Sequence, residues 1–166
     1  MHGEDFVHEL YDASYRRLVG QLTAVTGNRE EAEDVVQEAF ARALLHSRTL
    51  IATDNPEAWV RTVAVNAVRS RWRRFRRLAG LLPDLVLDAT PATDDASRMD
   101  LVAALRTLAT AQREAIALHH LAGLSVQEVA TTLGVPPGTV KARLARGRAA
   151  LALRLADDGA KESGHV

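Results

Sequence analysis

The sequence contains no cysteine, so it can form neither a disulfide nor a cysteine-ligated zinc finger. No apolar run reaches the roughly 18 residues that a spanning helix needs, and the first residues carry no signal-peptide pattern. We therefore expect a cytoplasmic protein without membrane insertion. The motifs Gly-x-Ser-x-Gly, P-loop and His-Glu-x-x-His are also missing.

The adjacent histidines His119 and His120 would point about 100° apart on a helix and make a poor metal pair. Together with the missing catalytic motifs, this predicts no catalytic residues, no metal site and no cofactor. We therefore expect the chain not to be an enzyme.

Aromatic residues make up only 4% of the chain, although hydrophobic residues of all kinds make up 47%. Ala, Leu, Val and Arg dominate, and this composition favours helix. A chain of 166 residues is long enough for one ordinary domain or two small ones. The composition predicts an all-α protein.

Acidic and basic residues balance to a formal net charge of zero, but the two signs are segregated along the chain. Residues 1–57 contain eleven acids and five Arg, whereas residues 58–83 contain seven Arg and no acid. Residues 129–156 contain five Lys or Arg and no acid. This segregation predicts an acidic protein-binding part and two basic DNA-binding parts.

The stretch 59–77 combines an apolar stripe with a basic one, both at helical spacing. A helix with these two sides suits a polyanion, since Arg contacts phosphates and guanine edges in bidentate fashion. Taken alone, the stretch also fits a solvated surface or an anionic membrane. The apolar stripe consists of Val60, Ala64, Val68, Trp72 and Phe75. The other stripe consists of Thr62, Asn66, Arg69, Arg73 and Arg76, widened by Arg71, Arg74 and Arg77.

The stretch 29–46 predicts a preceding helix with Asn28 as its N-cap and Glu31 as the capping-box partner. Acids in the first turn complement the helix dipole, but three polar residues lie further in and are not explained that way. These are Asp34, Gln37 and Glu38. The apolar stripe of this helix consists of Ala32, Val35, Val36, Ala39, Phe40, Ala43 and Leu44.

The C-terminal part predicts a helix-turn-helix rather than a plain helical hairpin. Ser125 and Glu128 form a capping box that begins a short helix ending at Leu133. A Gly-Pro turn follows, and a last helix continues to about Leu155. The polar and basic residues at its start are placed where DNA bases would lie. They are Thr139, Lys141, Arg143, Arg146 and Arg148.

The distribution of Gly, Pro and Asp predicts two small helical domains joined by a flexible linker. We expect the first domain to span residues 1–79 and the linker residues 80–97. The second domain spans residues 98–156, and residues 157–166 form a disordered tail.

The chain resembles the extracytoplasmic function (ECF) sigma factors of bacterial RNA polymerase, over about residues 4–155. The acidic segment 27–40 is similar to the family's polymerase-binding helix, and 56–74 to its −10-element helix. Residues 124–146 resemble the helix-turn-helix that reads the −35 element. The phrases Pro-Glu-Ala-Trp and Ser-Arg-Trp-Arg-Arg look most like an actinobacterial, SigE-like subgroup. The resemblance implies promoter-specific transcription initiation by domains of sigma region 2 and region 4.

The resemblance also implies partners and roles. Asp34, Gln37 and Glu38 would bind the clamp helices of the β′ subunit of core polymerase, and the second domain would meet the flap of the β subunit. The non-template strand of the −10 element would be captured by Asn66, Arg69, Arg71, Arg73, Arg74 and Arg76. The −35 element would be read by Thr139, Lys141, Arg143, Arg146 and Arg148. An anti-sigma factor is a further expected partner.

Three departures from the family's pattern concern the second domain. Pro136 stands where the family often has a serine N-cap, and Ala142 where it often has serine. His119, His120 and Leu121 replace aromatic residues. The alternative function is a stand-alone helix-turn-helix regulator, which would bind duplex DNA without polymerase. The acidic helix followed by a basic helix argues against it, because a repressor requires neither.

Overall fold

A computed structural model describes residues 2–81 and 96–163 of the chain. These residues belong to two compact units, one before and one after the gap. Within the described ranges the structure is helical and contains no strand, as the composition predicts. The helices of the first unit are α1 (Gly3–Thr26), α2 (Arg29–Leu45), α3 (Ser47–Ile51) and α4 (Pro56–Leu81). Those of the second are α5 (Ala96–Arg106), α6 (Thr110–Ile116), α7 (Val126–Leu133) and α8 (Pro137–Ser163).

Local signals mark the helix boundaries of the first unit. Helix α1 ends at Gly27, whose φ of 74° is the left-handed conformation that glycine adopts without a steric penalty. The side chain of Asn28 then accepts a hydrogen bond from the backbone N–H of Glu31 at 3.1 Å, so the predicted N-cap is confirmed. Asn55 caps α4 in the same way through the N–H of Ala58, and Pro56 occupies its first position.

The core of the first unit lies where α2 packs on α1 and α4. The predicted stripe of α2 is buried from Ala32 to Ala43, whereas Leu44 is 42% exposed. On α4, Val60, Ala64 and Val68 are fully buried, and Trp72 and Phe75 are half-buried. The apolar periodicity therefore identifies the packed faces and overestimates burial at the helix end.

The second unit is built around α8, which packs against α6 and α7. Helix α6 continues into a π-helical turn, Ala117–Leu121. There the Nδ1 of His119 lies 2.7 Å from the carbonyl oxygen of Leu124, which joins this turn to the start of α7. The predicted capping box of Ser125 and Glu128 is present in both directions. Helix α7 ends at Gly134, which has a φ of 66°.

The prediction of a disordered tail over 157–166 is wrong for residues 157–163, because α8 continues to Ser163. Between Leu155 and Ser163 the one glycine is Gly159, which costs about 1 kcal/mol relative to alanine. A helix that is already formed extends at little cost, since each added residue gains a backbone hydrogen bond. Most of the predicted linker, residues 82–95, lies outside the described residues, as do residues 164–166.

In the described ranges no helix is both long and apolar enough to cross a membrane. The same residues contain no cluster of three or more His, Cys, Asp or Glu side chains that could hold a metal ion.

Candidate nucleic-acid and protein interfaces

An open groove runs along the basic side of α4 where it faces α2. Asn66 is exposed in it, one to three turns before the exposed guanidinium groups of the same helix. Because helical neighbours recur every three or four residues, Asn66, Ser70, Arg73 and Arg77 follow one another along one face. A base edge placed at the Asn66 amide would therefore have a basic track for its backbone. The groove is lined by Glu38, Arg42, Asn66, Ala67, Ser70, Arg73, Arg74 and Arg77.

The predicted −10 residues are not all in this groove. Asn66, Arg73 and Arg74 line it, whereas Arg69 and Arg71 do not. Arg71 turns toward α2, where its guanidinium lies 3.1 Å from the carboxylate of Glu38. Arg76 belongs to α4, but its side chain lies outside the described residues.

Four groove residues were not among the predicted sites, namely Arg42, Ala67, Ser70 and Arg77. Ser70 and Arg77 could have been found from helical spacing alone, since they lie four and eleven residues after Asn66. Arg42 could not, because it reaches the groove from α2. Only tertiary packing brings it beside α4.

One arginine of the basic stretch is structural. Arg61 is 7% exposed, and its Nε donates a hydrogen bond of 2.9 Å to the side-chain oxygen of Gln21. Its guanidinium also lies 3.4 Å from Glu57, which accepts two 2.7 Å hydrogen bonds from Arg17. Hydrogen bonding by Arg17 lowers the pKa of Glu57, against an opposing effect of burial. This cluster fastens the start of α4 to α1.

Trp72 is held within the protein. Its indole N–H donates a hydrogen bond of 3.1 Å to the carboxylate of Glu31 near the start of α2. Its side chain is half-buried on the same stripe as Val68. This geometry is that of an anchor between α2 and α4 rather than of a side chain presented to bases.

The three predicted polymerase-binding residues lie within about 100° of one another around α2. Asp34 and Gln37 are exposed, and the Gln37 amide donates a 3.4 Å hydrogen bond to the Tyr15 hydroxyl. Glu38 is half-buried and pairs with Arg42 at 3.0 Å and Arg71 at 3.1 Å. Asp34 and Gln37 are therefore presented outward, whereas Glu38 is engaged inside the protein.

The predicted −35 residues divide into two sets around α8. A step of about 100° per residue places Thr139, Arg143 and Arg146 on one flank, and Lys141 and Arg148 on the other. Between the flanks the helix presents small exposed residues, namely Ala142, Ala145 and Ala149. A narrow edge with basic flanks can enter a major groove and reach both of its walls.

The first turn of α8 is closed by backbone hydrogen bonds to the residue that precedes the helix. The carbonyl of Pro136 accepts hydrogen bonds from Thr139 and Val140 at 3.0 and 3.3 Å, and Pro137 occupies the first helical position. Burial lowers the pKa of His120, and His119 and Arg148 lower it further, so a positive charge on this side chain is disfavoured.

Comparison with known families gives two matches. A family described as "Sigma-70 region 2" matches residues 10–78, and one described as "Sigma-70, region 4" matches residues 98–151. The first match covers α4 and its groove, and the second covers the helix-turn-helix.

Similar proteins span nearly the whole chain. The ECF RNA polymerase sigma factor SigL of Mycobacterium tuberculosis is 34% identical over 157 residues, covering 90% of this chain and 89% of SigL. The RNA polymerase sigma-E factor of Streptomyces coelicolor is 34% identical over 156 residues, covering 89% of this chain and 82% of its own length.

A solved structure has a similar helical fold. The sigma factor RpoE of Bartonella quintana, in complex with the anti-sigma factor NepR, superposes with a TM-score of 0.80 at 25% identity. The match covers 92% of this chain and 97% of RpoE.

Proposed function

We propose that this chain, which belongs to the family of ECF RNA polymerase sigma factors, directs promoter-specific initiation by binding core polymerase through α2 and promoter DNA through α4 and α8. The observation that carries the residue assignments is the groove of α4. It presents Asn66 beside Arg73, Arg74 and Arg77 on one accessible face. The actinobacterial, SigE-like character of the sequence agrees with the relatives from Mycobacterium and Streptomyces.

At the −10 element the chemistry is capture of a separated strand. Extruding a base from the duplex costs a few kcal/mol, and this cost has to be offset by contacts made only with the open strand. The Asn66 amide can both donate to and accept from a base edge, while Arg73 and Arg74 follow the phosphates. Arg69, Arg71 and Arg76 extend the basic surface of α4 toward the flanking backbone.

At the −35 element the chemistry is duplex reading. The edge of Ala142, Ala145 and Ala149 allows α8 to approach the floor of the major groove, since no bulky side chain intervenes. Arg143 and Arg146, with Thr139, contact base edges and one phosphate wall, and Lys141 and Arg148 contact the other wall. Base specificity therefore rests mainly on the flank that carries Thr139.

Polymerase binding is assigned to the outward acidic surface of α2. Asp34 and Gln37 carry the contact, because they are exposed on one side of the helix. Glu38 lies on the same side and contributes when polymerase is bound. The chain supplies promoter recognition in the cytoplasm, and the phosphodiester chemistry belongs to the polymerase.

An anti-sigma factor is a further proposed partner. The Bartonella quintana RpoE structure is such a complex, and its helices superpose on those of this chain. The end of α2 also exposes apolar side chains, with Leu44 at 42% and Leu45 at 83%, and these suit a protein surface. Leu45→Ser should weaken the binding of a purified anti-sigma factor to this chain and should leave the binding of core polymerase unchanged.

Run-off transcription with purified core polymerase and genomic fragments tests the function. We expect discrete promoter-dependent transcripts that vanish with Asn66→Ala and persist with Thr62→Ala, a matched polar truncation one turn earlier on α4. Absence of promoter-specific transcripts with the unaltered chain would overturn the sigma function. Tight operator binding by the chain alone, unaffected by polymerase, would instead favour the stand-alone regulator.

Charge reversal of Asp34 tests the polymerase surface. Asp34→Arg should weaken association with core polymerase at least about tenfold, since a like charge replaces an attractive one at the contact. Glu9→Arg makes the same charge reversal at an exposed position of α1 and should leave polymerase binding unchanged. Glu38 is unsuited to this test because a cation there would also face Arg42 and Arg71. Undiminished binding by Asp34→Arg would refute the assignment.

A further inference from the structure

Both carboxylate oxygens of Glu38 are occupied by arginines. Its Oε1 lies 3.0 Å from a guanidinium nitrogen of Arg42, one turn later on α2. Its Oε2 lies 3.1 Å from a guanidinium nitrogen of Arg71 on α4. Glu38 thus joins the proposed polymerase-binding helix to the proposed DNA-binding helix.

Glu38 is also the one acid among the residues that line the α4 groove. Arg73, Arg74 and Arg77 line the same groove, and none of them is paired with an acid among the described residues. Arg73 instead donates a 3.4 Å hydrogen bond to Ser70. The basic residues at this surface therefore divide into two that are paired with Glu38 and three that are available to an anion.

A carboxylate in this position opposes phosphate binding in two ways. It repels the phosphate directly, and it occupies the donors of Arg42 and Arg71 that a phosphate would accept from. A negative charge at the edge of an anion-binding groove therefore calls for a functional account. An uncharged glutamine of the same length would keep one acceptor oxygen for one arginine. Its amide nitrogen only donates and could not bind the other guanidinium, which also only donates.

We propose that Glu38 is a positioning residue that withholds Arg71 and Arg42 from nucleic acid in the free protein. This inference rests on the proposed function of α2 and α4. When the acidic side of α2 meets a basic surface of polymerase, Glu38 exchanges its internal partners for external ones and releases both arginines toward the promoter strand. Linkage then requires that polymerase and single-stranded DNA strengthen each other's binding.

Binding of the free full-length chain to a fluorescent single-stranded oligonucleotide tests the proposal. Each phosphate contact on a single strand changes the slope of log Kobs against log salt by about 0.7, which corresponds to about fivefold in affinity at 0.1 M relative to 1 M salt. Glu38→Gln can hold only one of the two arginines, so the other is free to add about one phosphate contact. The variant should therefore bind about fivefold more tightly at 0.1 M salt and give a slope steeper by about 0.7. Unchanged or weaker binding with an unchanged slope would overturn the proposal.

Two control variants separate this role from a general change of charge. Glu33→Gln removes the same charge from the same helix, where Glu33 pairs with Arg29 at 3.0 Å away from the groove, and should leave affinity within about twofold. Glu38→Asp keeps a carboxylate within reach of the two flexible arginines and should restore the affinity of the unaltered chain. Equal gains from Glu33→Gln and Glu38→Gln would refute a local role.

A double-mutant cycle tests whether Glu38 acts through Arg71. In an Arg71→Gln background, the gain in oligonucleotide affinity produced by Glu38→Gln should fall to less than half of its value in the unaltered chain, because the arginine that would be released is absent. An undiminished gain would contradict the pairing mechanism. Arg74→Gln serves as the check on the underlying DNA function. If it leaves oligonucleotide binding unchanged, the groove assignment fails, whereas a loss there with no effect of Glu38→Gln refutes only the withholding role.

Discussion

Individual side chains of α4 divide between folding and function according to their environment. Arg61 is buried in a cluster with Gln21 and Glu57, whereas Asn66, Arg73 and Arg74 line an accessible groove. The same residue type therefore occupies two different environments within four turns of one helix, one buried and one accessible. Counting arginines overstates the DNA-binding charge of the stretch, since at least Arg61 is committed to the fold.

Trp72 provides a test at the residue scale. Trp72→Leu removes the indole hydrogen bond to Glu31 and part of the packing, and should lower the stability of the first unit by about 2 kcal/mol. Oligonucleotide affinity should stay within about twofold, because the ring is not presented to bases. Urea unfolding followed by Trp59 fluorescence and anisotropy titration measure the two effects.

The matched variant is Glu31→Ala, which breaks the same hydrogen bond and leaves the indole ring in place. It should also lower stability without affecting DNA binding. A loss of about 1 kcal/mol or more in DNA affinity by Trp72→Leu alone would identify Trp72 as a base-stacking residue.

At the scale of the helices, close helix–helix contacts determine which substitutions the fold tolerates. At the crossing of α6 and α8, a Cβ built on Gly147 would lie 2.8 Å from Cγ1 of Ile116. Gly147→Ala should therefore destabilise the second unit by about 1–3 kcal/mol through overpacking, despite alanine's better helix propensity. Thermal unfolding followed by far-UV circular dichroism measures the loss.

Gly159 supplies the control on the same helix, because a Cβ there meets nothing within 4 Å. Gly159→Ala should be neutral or stabilising by up to about 1 kcal/mol. Ile116→Ala should cost less stability in the Gly147→Ala background than in the unaltered chain, because the two side chains compete for the same space. If Gly147→Ala proved stabilising, α6 and α8 would not pack as closely as described.

The attachment of α4 to α1 predicts a pH dependence. The folded-state pKa of Glu57 is lowered by Arg17, so its contribution is present above the unfolded-state pKa near 4.5 and is lost as pH falls through the lower folded-state value. Glu57→Gln should cost about 1 kcal/mol at pH 7, a modest value because Arg17 is largely exposed. Urea unfolding at pH 7 and pH 3 measures this effect, and the free energies of unfolding of the unaltered chain and of Glu57→Gln should be nearly equal at pH 3. A gap of equal size at both pH values would contradict the ion-pair origin.

At the scale of the whole molecule, two small DNA-binding units share one chain. We expect neither unit to bind promoter DNA tightly alone. Tight binding should arise only when core polymerase holds both units and each raises the effective concentration of the other. Doubling the segment 82–95 with Gly-Ser residues should reduce promoter-complex stability only about threefold, following the −3/2 power of length. Supplying the two units as separate chains should abolish transcription at micromolar concentrations. Full activity of the separated units would show that each binds independently of the other.

The periodic spacing of apolar and polar residues was enough to predict the helices and their packed faces from the sequence alone. Helix type and most boundaries follow from backbone geometry and from local capping, as at Asn28, Asn55, Ser125 and Gly134. These signals act over three or four residues and need no tertiary partner. The resemblance of segments 27–40, 56–74 and 124–146 to sigma-factor motifs also indicated the family, which the matches to sigma-70 regions 2 and 4 confirm.

Tertiary structure alone decided which charged residues are available. Glu38 and Arg71 are 33 residues apart in the chain, and only the packing of α2 on α4 joins them. The same packing brings Arg42 to the groove and commits Trp72 to the fold, whereas the packing of α4 on α1 commits Arg61. Helical periodicity places a side chain on a face of its own helix. Whether its charge is available to a ligand depends on groups that distant parts of the chain bring near it, because desolvation and ion pairing act through space.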